Sequence, residues 1–150
     1  MKNTRYIPVL LLAVVAWACS GGDKDTGAGS YIIEVKLETF EAKRSAMKNA
    51  TGTERVERDT VGAASTLDAY SKGLQKYAAV LLDVHRNGEE TRASEGKLAV
   101  FDPEGVDIIG GLPQTQRDSV LMNFIHFARR ATIPYYEHVK DFELKLMAVR

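Results

Sequence analysis

A single cysteine, Cys19, stands in the whole chain, so no disulfide can form within it and the fold must be held by packing. Neither sign of charge is in excess, with 20 basic and 20 acidic side chains. That balance excludes the basic stripe of a nucleic-acid binder. Long apolar runs are absent as well: the longest, Ile7–Ala16, is about half of the roughly 20 residues a membrane-spanning helix needs. Metal-binding spacings are lacking, because His85, His126 and His138 form neither a His-x₃-His nor a Glu-x-x-His pair. No metal and no cofactor is therefore expected. Serine–histidine–aspartate order, paired carboxylates and a glycine-rich phosphate loop are missing too, which argues against an enzyme.

What is present begins with an address. Lys2 and Arg5 make a short basic start, Ile7–Ala16 an apolar middle, and Ala16-Trp17-Ala18 places small residues at the positions a signal peptidase reads. A plain cut after Ala18 would leave Cys19 as a free thiol. The order of a small residue, then Cys19, then Ser20-Gly21-Gly22 resembles the signal of bacterial lipoproteins, with Ala16 where leucine is usual and Trp17 in a place that prefers smaller residues. The resemblance implies cleavage before Cys19 and acylation of that cysteine. It also implies attachment to the cell envelope through lipid, with Ser20 matching the sorting pattern for the outer membrane. Two or more acyl chains hold a protein durably where one does not.

Three segments follow: residues 1–18 as signal peptide, 19–30 as a lipid-anchored tether, and 31–150 as the folded domain. Ser20–Ser30 has four glycines and no large apolar residue, so it reads as a flexible tether. Removing Lys2 and Arg5 with the leader leaves 18 basic against 20 acidic groups. The expected partners are the membrane, through the anchor, and an envelope protein.

The periodicity of the domain predicts an all-α fold, a three- or four-helix, mostly antiparallel bundle. Val56, Thr60, Ala63, Leu67, Tyr70, Leu74, Tyr77, Leu81 and Val84 alternate steps of four and three, which predicts one helix over 54–86. Thr51 and Glu54 fit a capping box at its start. Ile33, Leu37, Phe40 and Met47 fit a helical stripe, while Ile33-Glu-Val35-Lys-Leu37-Glu alternates like a strand; the helix is preferred. Leu121, Ile125, Ala128, Thr132, Tyr135, Val139, Phe142 and Leu146 predict a last helix broken at Pro134. Between the long helices, 87–113 is irregular, with an Asp102-Pro103-Glu104-Gly105 turn. Its apolar half, Leu98 to Leu112, must cover something.

Two readings of function remain open. The first is a non-catalytic envelope lipoprotein serving as an interaction or structural module. The second is a small-ligand-binding bundle. Its candidate residues are Tyr70, Tyr77 and Tyr135, lining an apolar pocket, and His126 and Arg130, which share a helical face with Asn123 and Arg129 and suit an anion.

Overall fold

A computed structural model describes residues 28–41, 51–92, 96–131 and 138–149. In chain order the described strands and α-helices are β1 (Gly29–Glu41), β2 (Thr53–Ala63), α1 (Thr66–Arg86), β3 (Glu89–Thr91), β4 (Lys97–Phe101), α2 (Gln114–Ala131) and α3 (Phe142–Ala148), with a short 3-10 turn at Ile109–Gly111 before α2. The expected all-α bundle is corrected: helices pack on an antiparallel four-stranded sheet. Cys19 and the leader lie outside the described residues. Gly29 and Ser30, expected in the tether, open β1.

β1 is a strand because its apolar residues alternate. Tyr31, Ile33, Val35 and Leu37 are all buried on one face, while Ile32 and Lys36 between them are exposed. A helix would scatter these residues around its circumference, and three are β-branched or aromatic. β2 pairs with β1 from Gly29↔Ala63 to Thr39↔Thr53. On the other side, β4 pairs with Ile32–Lys36 and β3 with Thr39–Glu41, both antiparallel. β1 is thus the central strand, and β2 forms one long edge.

The predicted helix over 54–86 splits into β2 and α1. A step of four keeps side chains on one face of a strand as well as of a helix, because four is a multiple of the strand period. Val56 and Thr60 therefore share a face of β2, and only the step of three to Ala63 reverses it. The real N-cap is Ser65, not Thr51: its hydroxyl accepts the Asp68 N–H at 3.1 Å, and the Asp68 carboxylate accepts the Ala64 N–H at 2.9 Å. From Thr66 onward the seam holds. Ala69, Tyr70, Leu74, Tyr77, Leu81 and Val84 are buried in α1.

α1 lies between the sheet and the later helices. Toward the sheet its Gly73 makes the close approach possible, since a Cβ there would sit 2.9 Å from Val100 Cγ2 and 3.4 Å from both Leu98 methyls. On its other side α2 contributes Leu121, Phe124, Ile125 and Ala128, and α3 contributes Phe142 and Leu146. Each of the leucine, isoleucine and phenylalanine side chains is worth roughly 1.5–3 kcal/mol when buried. The apolar half of the connecting segment does cover something. Leu98 and Val100 enter the core from β4, and Ile109 joins them after the turn at Asp102–Gly105. That turn closes by the Gly105 N–H donating to the Asp102 carbonyl at 2.9 Å, with Gly105 at φ 81°.

Candidate functional site

Three pieces of chain converge below the C-terminal end of α1. α1 stops at Arg86, where the Asn87 N–H donates to the Asp83 carbonyl. Gly88, at φ 75°, then reverses the chain so that β3 runs back beside the helix. The segment His138–Asp141 and the first turn of α3 close the third side. Asp141 caps α3 in a left-handed conformation, φ 54°, a cost that a non-glycine residue bears only where its surroundings hold it.

The result is a cleft of about 240 Å³, with Leu81, Val84 and Val139 as its apolar floor. Its polar rim includes His85, Glu90, His138 and Lys145. The two imidazoles stack with ring centroids 5.5 Å apart and planes 16° from parallel. Lys145 is the unusual group, a lysine only 5% exposed. Burial pushes its ammonium below the ordinary lysine range. The negative charges of Glu90 and Asp141 oppose that shift, and Lys140 adds to it. Among the described residues no carboxylate is joined to it by a salt bridge.

A buried cation beside two imidazoles can receive an anionic group, and the neighbouring carboxylate of Glu90 limits how much negative charge is welcome. The volume is below the roughly 300–1,000 Å³ of drug-sized pockets. At about 30 Å³ per water it accommodates a molecule of only a few heavy atoms. A second cleft, about 370 Å³, opens where β1 and β4 meet the end of α3 and is lined by Glu34, Lys36, Lys97, Asp107 and Ala148. Several of its charges are already spent. Glu34 pairs with Lys36 at 3.1 Å and Arg58 at 2.6 Å, and these contacts hold its carboxyl below the usual range. Asp107 accepts the Ile109 N–H at 3.1 Å. The Lys145 cleft is therefore the stronger candidate.

The residues singled out from sequence lie elsewhere. Tyr70 and Tyr77 are fully buried in α1 and line neither cleft. Tyr77 abuts Gly96, where a Cβ would collide with its hydroxyl, and burial raises its ionisation well above that of a free tyrosine. His126 and Arg130 sit on the exposed face of α2 with Asn123. Arg129 on that helix is held by a two-point contact with Glu143, at 2.7 and 2.8 Å. Tyr135 lies outside the described residues. Tyr70 and Tyr77, in the core, and the exposed His126/Arg130 face are not brought together.

Sequence reasoning weighed His85 and His138 only as metal ligands, and it gave Lys145 no ligand role. Nothing in the spacing links positions so far apart in the chain. The one available signal was Lys145 directly preceding the seam residue Leu146, close to the apolar side of a short helix. Among the described residues there is no group of three or more histidine, cysteine, aspartate or glutamate side chains able to hold a metal ion. No described helix is long and apolar enough to cross a membrane. No family model, curated protein or solved structure matches the chain.

Proposed function

We propose that this protein is a lipid-anchored component of the bacterial cell envelope whose folded domain is a non-catalytic binding module for a small anionic ligand. The observation that carries the binding reading is Lys145, a buried ammonium facing a cleft it shares with His85 and His138. Between the two readings left open by the sequence, an interaction module and a small-ligand binder, this cleft favours the second. The ligand residues change, however, from the tyrosine and His126/Arg130 sets to Lys145, His85 and His138. An anion seated there adds a direct ionic contact to the more distant charges of Glu90 and Asp141, so binding offsets part of the desolvation cost of the buried ammonium.

The anchor rests on the order Lys2, Arg5, Ile7–Ala16, Ala18, Cys19. Labelled palmitate should enter the wild type and not Cys19→Ser; equal labelling of both would contradict the anchor. For the cleft, thermal midpoints and calorimetric titrations with acetate, glycine and inorganic phosphate are decisive. At least one probe should raise the midpoint in a concentration-dependent way, since a ligand at 100 times its Kd adds about 2.7 kcal/mol to stability. The same probe should do nothing to Lys145→Met. Indifference to all three probes, or binding that survives in Lys145→Met, would refute the site.

A further inference from the structure

We infer that the outer edge of β2 is the contact surface for a second copy of this chain, and that two copies pair edge to edge about a two-fold axis through Val56. The inference is independent of the ligand reading. It starts from which way the main chain of β2 points. In an antiparallel ladder alternate residues turn both N–H and C=O toward the same neighbour. The Thr60 N–H donates to the Asp59 carboxylate at 3.0 Å, and the Gly62 carbonyl accepts from Lys72 Nζ at 2.6 Å. The even-numbered residues of β2 therefore turn their main-chain groups away from β1. At Thr60 and Gly62 side chains occupy one of these outward groups. At Glu54, Val56 and Arg58 no described residue takes that role, and no described strand lies on that side. An open stretch of edge invites another strand.

The side chains say which strand fits. An antiparallel pairing of two β2 strands centred on Val56 sets Val56 against Val56. It also sets Glu54 against the second copy's Arg58, and Arg55 against the second copy's Glu57. Every charge in the stretch 54–58 meets its opposite, on the same face of the sheet. Moving the axis by one residue to Arg55 or Glu57 puts like against like at the centre, so the charges select one register. The isolated chain also leaves demands that this pairing meets. Glu54 faces Glu38 across the β1–β2 ladder, a like-charge pair that costs stability. Val56 is 47% exposed on a strand whose neighbours are mostly charged. A two-fold pairing is self-complementary, as a closed dimer requires. It extends the sheet across both copies and leaves the Lys145 cleft, on the far side of β1, undisturbed.

Sedimentation velocity on the full-length protein tests this. The wild type should show a monomer–dimer equilibrium that weakens as salt screens the paired charges. Val56→Asp, which sets two carboxylates together at the axis, should weaken association about tenfold or more. Glu54→Arg and Arg58→Glu should each fail to self-associate, yet an equimolar mixture of the two should form a heterodimer, because each supplies the charges the other lacks. A wild type that stays monomeric, or a Val56→Asp protein that dimerises like it, overturns the inference. Should Arg58→Glu fail to fold through loss of its contact with Glu34, Glu54→Arg decides alone. Facing Glu38, it should raise its own thermal midpoint while losing association, and wild-type dimerisation by that variant would overturn the pairing.

Discussion

Leu74→Asp is expected to abolish folding. Leu74 is fully buried in the middle of α1, between the sheet and the later helices, one residue after Gly73 makes its close contact with Val100. The change removes apolar burial worth several kcal/mol and puts a carboxylate into the fully buried hydrophobic core. Whole domains are stable by only about 5–15 kcal/mol, so that combined loss consumes most of the margin. Circular dichroism should show an unfolded spectrum at 25 °C. A variant melting within a degree or two of the wild type would mean that α1 is not the central helix. The Ala79→Glu change at an exposed position of the same helix offers the control, with an expected effect under about 0.5 kcal/mol.

Lys145→Met should act in the opposite direction. It replaces a buried ammonium by a side chain of similar volume and no charge, removing the desolvation penalty while keeping the cleft's apolar lining of Leu81, Val84 and Val139 covered. At neutral pH the variant should be more stable, by on the order of 1–3 kcal/mol, while losing the anion response of the cleft. The pH dependence carries the sign. The folded-state pKa of Lys145 lies below the ordinary 10.5, so the penalty is fully present below the folded value. It fades as pH rises toward 10.5, where the unfolded chain still holds the proton and the folded chain has released it. Wild-type stability should therefore gain on that of Lys145→Met as pH climbs through this window. A stability difference that stays constant from neutral pH to 10.5 would show that Lys145 is solvated, and a less stable Lys145→Met would show that the ammonium has a partner in the folded state.

How much of this was legible in the sequence depends on the step between apolar residues. From Leu67 to Val84 steps of three and four alternate five times over, a pattern no strand can use, and the helix is where it was expected. From Val56 to Ala63 there is one step of three, too little to separate helix from strand. The alternation at Ile33–Leu37 was visible and was the better guide. It lost because no turn signal parted it from the polar run that follows. The partial burial of β2, with Arg55, Glu57 and Asp59 toward the helices, also disguised a strand. Those charges are absorbed by a network in which Arg55 bonds both Glu57 and Asp83, and Lys76 approaches Glu57 and Asp59 at 3.5 Å. Such long-range partners cannot be read from one strand. The cleft was illegible for a related reason. His85, Glu90, His138 and Lys145 acquire a common environment only after β3 turns back at Gly88 and α3 closes over it.

β1 carries β3, one wall of the Lys145 cleft, on one side and β2, with its free edge, on the other, and cross-strand proton contacts measure the β1–β2 pairing directly. Thr60 turns its main chain outward, so the pairs Ile32↔Thr60, Glu34↔Arg58 and Lys36↔Val56 are the close, non-hydrogen-bonded kind, with Cα atoms about 4.5 Å apart. Nuclear Overhauser spectra of the isotopically labelled protein should show strong Hα–Hα contacts for these three pairs. Sequential contacts of helical type between residues three apart over 31–39 and 54–63, with no Hα–Hα contact between Glu34 and Arg58, would contradict the sheet and everything built on it.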